Sequence, residues 1–124
     1  MKLFTIEEAN ELLPVVSANL KTIQKLYSKL EVYRESARAA AGASEFGGGM
    51  RGGAGYVNSL YKIGKITTEL DEKGVQLKDY SLGLIDFPSM KDGRVVLLCW
   101  RLGEDERIEW WHELEAGFGG RQRL

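Results

Sequence analysis

Residues 83–120 read GLIDFPSMKDGRVVLLCWRLGEDERIEWWHELEAGFGG, and the reading of this stretch decides the fold. Gly83 to Phe87 is a short apolar run. Pro88 to Gly93 is a turn stretch, and its Asp92-Gly93 pair is a strong signal for a two-residue hairpin because both positions tolerate positive φ. Arg94 to Leu102 is dense in β-branched and large apolar side chains and reads as the central strand. Gly103-Glu104-Asp105-Glu106 turns the chain again. Ile108 to Glu113 is ambiguous: Ile108, Trp111 and Glu115 share a helical face, whereas Ile108, Trp110 and His112 share a strand face. The preference of Trp and Ile for strands favours a third strand. The stretch also holds the single histidine, His112, the single cysteine, Cys99, and all three tryptophans, Trp100, Trp110 and Trp111.

Upstream of it the grammar is helical. Thr5-Ile6-Glu7-Glu8 is a capping box, so a helix starts at Ile6. Ile6, Leu13, Leu20 and Tyr27 recur at sevens, interleaved with Ala9, Val16, Ile23, Leu30 and Ala37, which is an a/d heptad pattern. Pro14 lacks the N–H for its helical bond, yet the stripe keeps its phase across it. A kinked but continuous helix is expected, the alternative being a break with a second helix starting at Pro14. Seven glycines crowd residues 42–55 and predict a flexible loop. A phosphate-binding loop is disfavoured there, because no strand precedes the glycines and no Gly-Lys-Ser/Thr follows. A second helix is expected over Tyr56 to Lys73 with the stripe Tyr56, Leu60, Ile63, Thr67 and Leu70, ended by Gly74 as its C′ residue. Val75-Gln76-Leu77-Lys78 then alternates briefly.

The predicted fold is therefore α+β in a single domain. A long antiparallel helical hairpin (residues 1–74) packs on a small antiparallel meander of about three strands with a tail (residues 75–124). A chain of 124 residues with net charge −1 buries an adequate core without staples. The near-neutral charge removes the basic field that nucleic acid or an anionic membrane would require. One cysteine cannot close an internal disulfide, the first residues carry acids where a secretion signal needs an apolar run, and no apolar run approaches membrane-spanning length. A cytoplasmic protein is expected.

On the central strand Val95, Leu97, Cys99 and Arg101 face one way, and Val96, Leu98, Trp100 and Leu102 the other. The second face is the more uniformly apolar and is assigned to the helices. The first then groups Cys99 with Asp86 and His112, provided the turns set that register, with Glu104 in the nearby turn. Asp86, Glu104 and His112, with Cys99 as an optional member, suit a divalent transition metal. A small-ligand site draws on Asp86, Trp100, Glu104, Trp111 and Arg121. The plain alternative is that Asp86 caps a turn, His112 bonds a carbonyl or carboxylate, and Cys99 is a small buried apolar residue. Catalysis has the weaker case. Cys99 lies in the most apolar strand, where a thiol is inert, and no Ser or Lys stands in a nucleophile motif. The acidic cluster from Glu104 to Glu115 opposes base stacking by Trp110 and Trp111.

The run Gly83-Leu84-Ile85-Asp86-Phe87-Pro88, with Leu98-Cys99-Trp100, Gly103-Glu104, Trp111-His112, Gly117-Phe118 and Gly120-Arg121, resembles a prokaryotic family catalogued as domain of unknown function 2203. Phe4-Thr5, Glu8-Ala9 and Leu13-Pro14 resemble it too. The likeness implies a small standalone cytoplasmic protein and brings no activity, cofactor or catalytic residue with it. Two expectations follow. The first is a non-catalytic interaction or scaffold module, self-associating as a homodimer through coiled-coil-like heptad stripes, with a protein partner in reach of its aromatics. The alternative is a metal- or small-ligand-binding protein with its site on the C-terminal β region, and with hydrolytic chemistry a further extension of that site.

Overall fold

A computed structural model of the chain describes residues 1–43 and 53–124, with side chains outside 40–53. Helix α1 spans Ile6–Ala43 and α2 spans Gly53–Glu72. Five strands follow: β1 (Gln76–Asp79), β2 (Leu84–Lys91), β3 (Arg94–Arg101), β4 (Trp110–His112) and β5 (Gln122–Arg123). They form one sheet in the order β1-β2-β3-β4-β5, antiparallel throughout. The α+β architecture of two helices against a C-terminal antiparallel sheet is thus as the sequence predicts. The sheet gains a short strand at each edge, β1 from the 75–78 alternation and β5 from the tail. The expected glycine loop over 42–55, and the phosphate-loop alternative, lie largely outside the described residues.

The capping box closes as the sequence spells it. The Thr5 N–H donates to Glu8 Oε1 at 3.0 Å and the Glu8 N–H to Thr5 Oγ1 at 3.1 Å. Two helix N–H groups that lack a helical acceptor are thereby satisfied. The Glu8 carboxyl is held below its ordinary range, first by the Thr5 backbone N–H and then by its hydroxyl. Helix α1 runs unbroken through Pro14. Gly74, at φ 88°, ends α2: its N–H reaches the Asp71 carbonyl, and Val75 N–H reaches that of Leu70.

The α1 stripe is consumed within the chain. Ala9, Leu13, Val16, Leu20 and Ile23 are buried against Ile85, Phe87, Val96, Leu98, Trp100 and Trp111 of the sheet. Further along, Leu26 and Leu30 pack with Ile63 of α2. Burial of this kind stabilises by roughly 2 kcal/mol per large side chain. Two positions depart from the predicted stripes. Ile6 is exposed at the helix start, and on α2 the buried residue of the second turn is Ser59, leaving Leu60 outside. The α2 stripe therefore runs Tyr56, Ser59, Ile63, Ile66 and Leu70.

Strand β2 is longer than the apolar run suggests, because Pro88 lies inside it rather than in a turn. The hairpin closes at Asp92-Gly93, with φ 52° and 78°, and Lys91 pairs with Arg94. That pairing turns Pro88 away from β3, toward the edge that β1 has already left, so its missing N–H removes no ladder bond. The edge is covered instead by the segment before α1: Phe4 N–H donates to the Pro88 carbonyl at 2.7 Å, and the Ser89 hydroxyl donates to the Phe4 carbonyl.

Candidate metal centre

With helices on one face of the sheet, the chemistry gathers on the other. Asp86 of β2 lies opposite Cys99 of β3, and Cys99 opposite Trp110 of β4, while His112 pairs with Leu97. Cross-strand partners share a face, so Asp86, Cys99, Trp110 and His112 all point away from α1. Asp86, Cys99 and His112 are each no more than 2% exposed. One potential ligand atom from each lies within 4.8 Å of the other two. The expected grouping of these three is what the register produces.

The imidazole is fixed at both nitrogens. Nδ1 lies 2.7 Å from the Glu113 carbonyl, and Nε2 lies 3.1 Å from Asp86 Oδ1. A carbonyl only accepts, so Nδ1 carries a proton and donates it. In a neutral ring Nε2 then presents a lone pair to a carboxylate oxygen, which is repulsive. The contact becomes favourable when a proton, carried by the ring or by the carboxyl, or a metal ion lies between them. Beside this pair, the Cys99 thiol is pushed up to about 12, first by burial and next by the negative charge of Asp86. Alone it is a poor nucleophile, as its place in the apolar strand implies.

The chain after β4 returns beside these residues. Arg121 stacks between aromatic rings, with its guanidinium carbon 4.8 Å from the Trp110 centroid and 4.6 Å from that of Phe118. Its Nη2 donates to Glu104 Oε2 at 2.6 Å. The other oxygen of Glu104 accepts the Arg101 N–H, also at 2.6 Å. Both Glu104 oxygens are thus engaged, and Glu104, a metal-ligand candidate by residue type, stands outside the cluster of Asp86, Cys99 and His112. Arg121 is 11% exposed, and its charge opposes the upward shift of the Cys99 thiol.

The expected small-ligand set divides between the two faces. Trp100 and Trp111 alternate with Cys99 and His112, so they lie in the helix-side core. Trp100 also donates its indole N–H to the Asp105 carbonyl and lines a cleft against Leu13, Pro14 and Ala18 of α1, with Glu104 on its rim. Ile108 joins Trp111 in that core instead of sharing a face with Trp110 and His112, because the strand begins only at Trp110. The residue that sequence reasoning left out of the site is Trp110. Its signal was parity, since it stands two positions before His112 in a strand.

A family model described as "Uncharacterized conserved protein (DUF2203)" matches residues 2–124. No curated protein and no solved structure matches the chain. Among the described residues no helix is long and apolar enough to cross a membrane.

Proposed function

The chain belongs to the DUF2203 family of uncharacterised conserved proteins, and within it we propose a transition-metal-binding protein whose ligands are Asp86 Oδ1, Cys99 Sγ and His112 Nε2. The observation that carries this reading is the imidazole orientation: Nδ1 is spent on the Glu113 carbonyl and Nε2 is aimed at Asp86 Oδ1, 3.1 Å away. That is the outer-shell arrangement typical of a metal-ligating histidine, whose second nitrogen donates to a carbonyl or carboxylate. Nitrogen, thiolate and carboxylate oxygen together suit zinc, iron(II) or cobalt(II) better than magnesium or calcium. Three protein ligands leave a coordination position open, as in sites that bind or transform a ligand. Capture of the metal requires the thiol to release its proton, so binding strengthens with pH. A single cysteine serving as a thiolate ligand suits a reducing, cytoplasmic setting.

Elemental mass spectrometry tests the reading on untagged protein purified without chelator, beside His112→Ala. Near-stoichiometric transition metal in the parent, lost in the variant, is expected. Metal absent from the parent even after incubation with zinc or cobalt would sink the proposal.

Self-association is a second reading, favoured by the outer face of α2. Val57 and Tyr61 are 64% and 69% exposed, and Leu60 stands between them. With the α1 stripe packed inside the chain, this face offers apolar surface for a second copy to cover. Light scattering on the parent and on Val57→Glu/Tyr61→Glu distinguishes a homodimer dissociated by the substitutions from a monomer indifferent to them.

A further inference from the structure

Among the described residues one buried side-chain polar atom has no hydrogen-bond partner, and it is Nε of Arg121. An orphaned guanidinium N–H is costly, and native structures rarely leave one without a reason. The rest of the side chain is held in place. Two aromatic rings hold its plane, and Glu104 takes one terminal amine. The side chain is therefore locked in place with one buried donor left without a partner. Its location follows from the register. Trp110, on which it stacks, lies directly opposite Cys99, and Cys99 is one of the three clustered ligands. The donor accordingly sits on the ligand-bearing face, beside the thiol whose ionisation its charge favours.

Resting on the metal reading above, we infer that the open coordination position takes an anionic oxygen ligand of the small-carboxylate class, oriented by Arg121 Nε–H. A carboxylate offers one oxygen to the metal and a second to a single N–H donor, which matches the one buried donor that lacks a partner. A phosphate dianion fits less well. It calls for several donors, and Asp86 and Glu104 place negative charge around Cys99. Phe118 is 39% exposed and Arg121 11%, whereas Asp86, Cys99 and His112 are closed to solvent.

The test uses the full chain loaded with cobalt(II), whose visible spectrum reports its coordination sphere, and acetate as the probe. Acetate should change the spectrum saturably. Arg121→Lys keeps the charge and loses Nε–H, and should load cobalt normally while binding acetate at least tenfold more weakly. If that variant fails to load, the parent protein decides: acetamide, which lacks a second oxygen to accept Arg121 Nε–H, should bind at least tenfold more weakly than acetate, and equal binding overturns the inference. Cobalt loading with no response to acetate, equal acetate affinity in Arg121→Lys, or tighter binding of inorganic phosphate than of acetate also overturns it while leaving the metal reading intact. Failure of the parent to load cobalt removes both.

Discussion

Substituting the two members of the Asp86–His112 contact should have unequal effects on metal-free stability, although both should abolish metal binding. His112→Ala removes the ring and leaves the Asp86 carboxylate at 2% exposure with no positive partner. Removing one partner of a buried pair costs about 3–5 kcal/mol, because the surviving charge stays desolvated. Asp86→Asn behaves differently. The new amide can donate to the Nε2 lone pair while Nδ1–H keeps its bond to the Glu113 carbonyl. A satisfied neutral pair replaces a charged one, and the expected change is within about 1 kcal/mol in either direction. The double variant leaves a neutral amide unsatisfied at about 1–3 kcal/mol, so it should be more stable than His112→Ala alone. Urea unfolding in the presence of chelator measures all four proteins. For an m-value of about 2 kcal/mol/M, His112→Ala should lower the midpoint by roughly 2 M, and Asp86→Asn by less than about 0.5 M. With chelator omitted and zinc supplied, none of the three variants should retain stoichiometric metal. The reasoning fails if Asp86→Asn is as destabilising as His112→Ala, or if the double variant is the least stable of the set.

The thiol of Cys99, raised to about 12, should alkylate in the folded metal-free chain on the order of a thousandfold more slowly at pH 8 than in the unfolded chain. The sign for stability follows from the same shift. The unfolded thiol loses its proton first, so stability falls as pH rises from about 8.5 toward 12; unfolding midpoints of the parent and Cys99→Ala should converge over that range, and parallel curves would contradict the assignment. Thr5→Ala should cost about 1 kcal/mol in thermal or urea unfolding through loss of the helix cap. Because the Glu8 carboxyl is held low, its contribution is present above the ordinary carboxylate range and fades on acidification through its lowered pKa, a fade that Glu8→Gln should remove. Gly83→Ala should destabilise by more than about 1 kcal/mol, since Gly83 has φ 65° and an added Cβ would lie 2.7 Å from Leu102 Cβ; a circular dichroism melt unchanged from the parent would refute this.

Much of the fold is legible because its determinants are local. The capping box needs only Thr5 and Glu8 three residues apart, the hairpin needs only Asp92-Gly93, and the two faces of β3 follow from side chains alternating along an extended chain. Alternation also explains why the candidate site is half legible. Asp86, Cys99 and His112 share a face in any register that matches the pleat, and the hydrophobic pattern of Val96, Leu98 and Trp100 decides which face meets the helices. Tertiary structure alone decides the rest. Pro88 reads as a turn residue and is tolerated in β2 because β1 has ended and the Phe4 backbone covers that edge. Leu60 and Ser59 exchange inside and outside because α1, not the period of α2, sets the contact line. Glu104 looks like a metal ligand by type and proximity in sequence, yet both its oxygens are taken by Arg101 and Arg121. The orphaned Nε of Arg121 and the direction in which His112 Nε2 points leave no trace in the sequence. Each depends on where a distant backbone carbonyl or ring is delivered, and that is a property of the assembled sheet and not of any spacing along the chain.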